Sequence, residues 1–187
     1  MHSCQSSDKD SITLKSPEGT HQIDLYLDSS GRPGYQVLRN GKTVIDSSGL
    51  GFEFVDQPAL IRGLRWVESE ERSEDETWEM PWGEQRKVRN HYNAARVVLE
   101  EQEPPGRRLI LHFRAYEDGV AFRYEFPEQP GRDTLLIAEE RTEFQLTGDH
   151  MSWWIPGDWD IYEHLYNTTR VSEIDALSKR DHPNLAS

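Results

Sequence analysis

A chain of 187 residues with 34 acidic and 21 basic side chains carries a formal net charge of −13, which disfavours nucleic acid and anionic membrane as partners, since both need a basic footprint. Its hydrophobic fraction of 35%, with 13 glycines, lies just under that of ordinary globular chains, and six tryptophans and seven tyrosines argue against disorder. The length fits one large domain or a tight pair; the single cysteine permits no internal disulfide and no thiolate metal site; and no apolar run is long enough for a transmembrane helix.

Residues 1–14 are polar and read as a disordered tether. Within them Cys4-Gln5-Ser6-Ser7-Asp8-Lys9-Asp10-Ser11 resembles the start of a mature bacterial lipoprotein, in which a lipidated cysteine leads into a polar arm. No apolar signal region precedes it, so an incidental cysteine in a loose terminus is the alternative. Beyond the tether the period of apolar residues is two, the mark of half-buried strands. Ile23, Leu25 and Leu27 alternate with polar neighbours. Asn40-Gly41 separates Tyr35–Leu38 from Thr43–Ile45, and Asp118-Gly119 precedes Val120. Both dipeptides suit the positive φ of a type I′ hairpin turn. Strands are also expected at Phe52–Val55, Leu64–Glu71, Ala95–Glu101, Leu109–Phe113, Val120–Phe126, Leu135–Glu140 and Arg141–Leu146. Glu68, Glu70, Glu71, Glu74, Asp75, Glu76 and Glu79 read as an exposed acidic loop. Pro104-Pro105-Gly106 and Glu128–Gly131 read as loops, and Val171–Ser178 as a short helix. The sum is an all-β fold, an antiparallel β-sandwich.

The richest stretch is Trp153-Trp154-Ile155-Pro156-Gly157-Asp158-Trp159-Asp160-Ile161-Tyr162-Glu163. Flat rings beside carboxylates suit sugars, because a pyranose packs its C–H face on a ring and its hydroxyls donate to acids. An aromatic core corner under a turn would have the same composition. Asp158-x-Asp160-x-x-Glu163 superficially resembles a calcium loop, yet it lacks the glycine and the span of an EF-hand and offers one or two oxygen ligands at most. Arg89-Asn90-His91-Tyr92-Asn93 could touch a sugar or hold a loop rigid; rigidity is the expectation. No nucleophile elbow, phosphate loop or dinucleotide fingerprint is present, and His91, His112, His150 and His164 lack zinc-site spacing. Glycoside hydrolysis needs two facing carboxylates, and spacing marks out no such pair.

Seven blocks stand in order: Asp75–Trp78, Trp82-Gly83-Glu84, Arg89–Asn93, Asp118–Pro127, Gly148-Asp149-His150, Trp154–Asp158 and Ser172-Glu173-Ile174. With them the chain resembles the N-terminal domain of glycoside hydrolase family 97, exported bacterial α-glucosidases and α-galactosidases. The resemblance implies a β-super-sandwich of the carbohydrate-binding type over residues 15–187, incomplete at its C-terminus. It implies an α-linked oligosaccharide as the enzyme's substrate and a periplasmic location. The catalytic carboxylates would lie in a following (β/α)8 barrel that is missing here, so the chain itself is expected not to be catalytic. The resemblance also places an active-site calcium, to which Glu163 would give one ligand, and a sugar-facing rim at Trp154, Asp158 and Trp159. A free-standing carbohydrate-binding module and a purely structural or interaction domain are the other readings.

Overall fold

A computed structural model describes residues 10–128, 134–158 and 163–177. They are almost entirely strand and turn, in two compact units, residues 1–145 and 146–187. The first unit holds two antiparallel four-stranded meanders. One comprises β1 (Ser11–Lys15), β2 (His21–Leu27), β3 (Pro33–Arg39) and β4 (Lys42–Gly49), hydrogen-bonded in that order. The other comprises β6 (Leu64–Glu79), β7 (Lys87–Glu101), β8 (Arg108–Ala115) and β9 (Val120–Glu125). Between them in the chain lies β5 (Phe52–Phe54), which pairs with β10 (Ile137–Glu140).

Alternation builds the core. Ile12, Leu14, Ile23, Leu25, Tyr35 and Val37 from the first meander share one buried cluster with Ala95, Val97, Leu99, Leu109, Leu111 and Phe113 from the second. Side chains at every second position face the same way, so the two sheets meet as a sandwich. Tyr35 joins the layers: its ring lies 6.0 Å from that of Phe113 and 5.5 Å from that of Phe122. Its hydroxyl donates to the Glu143 carbonyl at 2.9 Å. Arg107, only 4% exposed, places its guanidinium 5.5 Å from the ring centre of the core residue Phe54.

Several expectations need correction. Ser11–Lys15, assigned to the tether by its polarity, is a strand, because Ile12 and Leu14 are both buried against the core. Residues 1–9 lie outside the described residues, and with them Cys4. The acidic run is no loop but the body of β6, sixteen residues long and exposed along most of its length. Its carboxylates face water and polar partners on β7. Arg89 donates from Nε and Nη2 to Asp75 at 2.8 and 2.7 Å, Asn90 donates to Glu76 at 2.8 Å, and the Ser73 hydroxyl donates to Asn93 at 2.6 Å. Arg89–Asn93, expected to hold a loop rigid, lies instead within the strand β7. β8 pairs with β7 from Asn93 onward only, so Lys87–Tyr92 and Glu74–Glu79 form a ribbon that is two-stranded among the described residues. Its tip carries Trp82, 81% exposed.

Asn40 and Gly41 adopt φ of 49° and 74° in the two-residue turn between β3 and β4, as expected. Asp118 and Gly119 do not take positive φ. The β8–β9 connection spans four residues, from Ala115 to Val120, and Tyr116 donates its N–H to the Gly119 carbonyl at 2.8 Å; a longer loop removes the demand for a primed turn. Residues 141–145 do not form the expected regular strand. Their alternate N–H groups donate to Gly51, Gly49 and, at Gln145, to the Ser48 hydroxyl, which interrupts a backbone ladder. The expected helix at Val171–Ser178 reduces to one 3-10 turn, Val171–Glu173, and Ser178 lies outside the described residues.

Candidate functional site

The second unit is built on β11 (Met151–Trp154) and β12 (Asn167–Arg170), an antiparallel pair that periodicity did not reveal. Four-residue strands are too short to show alternation clearly. Trp153 and Trp154 point to opposite faces. Trp153 is 67% exposed, whereas Trp154 is half-buried and donates its indole N–H to the Thr169 hydroxyl at 2.9 Å. Beyond β11 the Pro-Gly turn is anchored by Gly157, which donates its N–H to the Ala176 carbonyl at 2.8 Å.

Asp158 follows that turn. Its carboxylate is buried and lies 3.0 Å from Nε2 of His164. A carboxylate held this way orients the imidazole more readily than it reaches a ligand. Glu163, the next residue before His164, is exposed. Trp159 and the rest of 159–162 lie outside the described residues. The structure thus brings Trp154, Asp158 and His164 into one unit, with Trp154 and Asp158 each committed to an internal hydrogen bond. Among the described residues no three His, Cys, Asp or Glu side chains converge as a metal cage would require. A single exposed carboxylate at Glu163 fits a hard cation as one ligand of several.

Two blocks of the sequence that looked independent are stitched together here. Asp149 accepts from the Ser172 N–H at 2.9 Å and from the Ser172 hydroxyl at 2.8 Å. These bonds hold its carboxyl below the usual aspartate range, since they favour the charged form. Arg170 donates to the Asp149 carbonyl at 2.7 Å, and its own N–H donates to the Glu173 carboxylate at 3.0 Å. Gly148–His150 and Ser172–Ile174 are therefore one structural node at the ends of β11 and β12. Likewise Asp75–Trp78 and Arg89–Asn93 face each other across β6 and β7. An aspartate followed 23 residues later by a serine carries no signal in a single sequence, which is why spacing missed the first pairing.

The chain is similar to several known proteins. Residues 14–186 match the family model described as Glycosyl-hydrolase 97 N-terminal. A probable retaining alpha-galactosidase of Streptomyces bingchenggensis (strain BCW-1) is 32% identical over 133 residues, which is 71% of this chain and 20% of that protein. A glycoside hydrolase family 97 enzyme from Pseudoalteromonas sp. strain K8, solved as a variant in complex with panose, superposes with a TM-score of 0.81 at 34% identity. That match covers 87% of this chain and 25% of the other. The same bacterium's family 97 enzyme in complex with acarbose gives 0.79 at 35% identity, over 84% and 24% of the two chains. The chain thus spans a fifth to a quarter of the length of these relatives. With a match over nearly its whole length, a shared all-β fold and family blocks that pair with one another in space, this chain belongs to glycoside hydrolase family 97, as an N-terminal domain.

Proposed function

We propose that this domain serves a calcium-dependent glycosidase of the α-glucosidase or α-galactosidase type, presenting Glu163 as one calcium ligand and the β11 turn as part of the sugar-site rim. The observation that carries the reading is the exposed Glu163 carboxylate beside the fixed Asp158–His164 pair. Relatives solved with panose and acarbose support an α-linked oligosaccharide as the substrate class. The acid and base carboxylates belong to the (β/α)8 barrel of the longer family members, and the 187 residues alone are inactive. Trp154, Asp158 and Trp159 form the rim on this reading, with Asp158 acting through His164. Export to the periplasm follows from the same kinship, and the polar stretch that begins at Cys4 offers the lipid anchor.

Calcium wants six to eight oxygens, so a domain giving one carboxylate binds it no more tightly than about millimolar. Calorimetry on this chain tests that half, and micromolar affinity would overturn it. Glu163→Gln in a barrel-containing protein should weaken calcium binding and activity together, with an unchanged circular dichroism spectrum. Full calcium binding by that variant would remove Glu163 from the ligand set. A free-standing carbohydrate-binding module is favoured by one observation, the exposed Trp153 ring. Retardation of this chain in a gel containing soluble starch, lost in Trp153→Ala, would support that second reading.

A further inference from the structure

The outer face of the second meander carries a feature that the family reading does not use. Residues 95, 97, 109, 111 and 113 point into the core, so their neighbours on β7 and β8 point away from it. Register sets Arg96, His112 and Arg123 in one cross-strand row, and Ala94, Arg114 and Ala121 in the next. Arg72 faces Ala94 and Glu70 faces Arg96 from β6. The two alanines leave a depression among the longer side chains. A cavity of about 360 Å³ results, lined by four arginines and a histidine against one carboxylate, Glu70. On a chain of net charge −13 this is a local concentration of arginine.

These guanidiniums are only loosely paired. The nearest carboxylates stand at the rim: Glu74 is 3.7 Å from Arg72, Glu68 is 3.5 Å from Arg96, and Glu125 is 3.7 Å from Arg123. Those distances exceed a normal N–H···O bond. Glu125 is engaged instead by His112, at 2.7 Å. Arg114 lies over the Tyr92 ring, 4.4 Å from its centroid, and reaches the Tyr116 hydroxyl at 3.3 Å. By contrast, Arg89 and Arg141 donate to carboxylates at 2.6–2.9 Å.

We propose that this cavity is a binding site for a sugar acid, a pyranose bearing a carboxylate. Paired guanidinium N–H groups grip a carboxylate side-on. The Ala94 and Ala121 methyls offer a flat apolar floor to the C–H face of the ring, and Glu70 with the Tyr116 hydroxyl supplies acceptors for ring hydroxyls. The volume lies within the small-molecule range. This proposal stands apart from the calcium reading, which concerns the other unit.

The test is calorimetry on this chain with D-glucuronate, D-glucose, citrate and inorganic sulfate as separate titrants. Saturable glucuronate binding is expected, absent with glucose and weakened as salt rises from about 0.05 to about 0.5 M. Arg96→Gln and Arg123→Gln should each weaken it about tenfold, the effect of one hydrogen bond to a charged group. Arg123 is 68% exposed at its side chain, so its substitution leaves the fold in place, and Arg86→Gln at the ribbon tip is the charge control. No saturable glucuronate binding, equal binding of sulfate or citrate, or wild-type affinity in both arginine variants would each overturn the proposal.

Discussion

Replacing Arg107 by methionine should cost this domain a large share of its stability. Arg107 sits just before β8 and is almost wholly buried. Its N–H and Nε donate to Glu101 Oε2 at 3.0 and 2.7 Å, and Nη2 reaches the other oxygen of that carboxylate. Nη1 donates to the Pro58 carbonyl at 2.7 Å and to Gln57 at 3.2 Å, and the guanidinium lies 5.5 Å from the Phe54 ring centre. One side chain thus ties the end of β7 to the 57–59 loop. Methionine keeps the apolar stem but removes the charge and every side-chain donor. Breaking a buried pair from one side costs about 3–5 kcal/mol, because the remaining charge loses its main compensation. At this chain length that is a fall in melting temperature of roughly 6–20 °C. Thermal melts followed by circular dichroism measure it. Adding Glu101→Gln should recover part of the loss, since the stranded charge goes with it, so the double variant should be less destabilised than the sum of the singles by about 1 kcal/mol or more. A melting point within about 2 °C of the parent for Arg107→Met, or strict additivity in the cycle, would refute the reasoning.

Gly31→Ala should destabilise by more than about 2 kcal/mol, because Gly31 has φ of 72° and an added Cβ would stand 2.5 Å from the Leu64 carbonyl oxygen; an unchanged urea midpoint would contradict this. Stability should fall in acid. Glu117 is lowered from 4.5 to about 2, chiefly by the Thr20 hydroxyl and then the Glu18 N–H, and Asp149 and Glu143 are also lowered. A carboxyl depressed in the fold contributes stability above its unfolded pKa and loses it as pH falls through the folded value, so melting temperature should drop below about pH 4.5 and continue down toward about pH 2. Glu117→Gln should flatten part of that limb, and a level profile between about pH 5 and about pH 3 would count against it. The 187 residues alone should release no nitrophenol from nitrophenyl α-glucoside or α-galactoside; release above a heat-killed control would show a carboxylate pair within this domain.

Much of the sandwich was legible because its cause is local. Ile23, Leu25 and Leu27 alternate because one face of β2 meets the core, and Asn40-Gly41 turns because both residues tolerate positive φ. The acidic body of β6 was not legible, because strand propensity disfavours such residues and only the partners on β7 make the strand tolerable. Ser11–Lys15 was misread for a related reason: its two core residues are outnumbered by polar ones. At the candidate site, the aromatic turn drew notice through composition. The link from Asp149 to Ser172 did not, since a contact across a ladder leaves no mark on spacing. Asp158 looked available as a free acid, and only the fold shows His164 beside it.

The β6–β7 ribbon has a dynamic consequence. From Glu76 to Glu79 and from Lys87 to Asn90 each strand has, among the described residues, only the other as a ladder partner, and a lone two-stranded hairpin is marginal in water. The Arg89–Asp75 and Asn90–Glu76 clasps are exposed, so they hold it weakly. The ribbon should therefore open by itself while the sandwich stays shut, as a separate low-energy unfolding unit. Its amides would exchange with deuterium well ahead of those in the 95–99 segment, and a protease would cut first near Trp82. In a longer family member, any surface that lies across the ribbon would announce itself by slowing exchange there before changing it anywhere else.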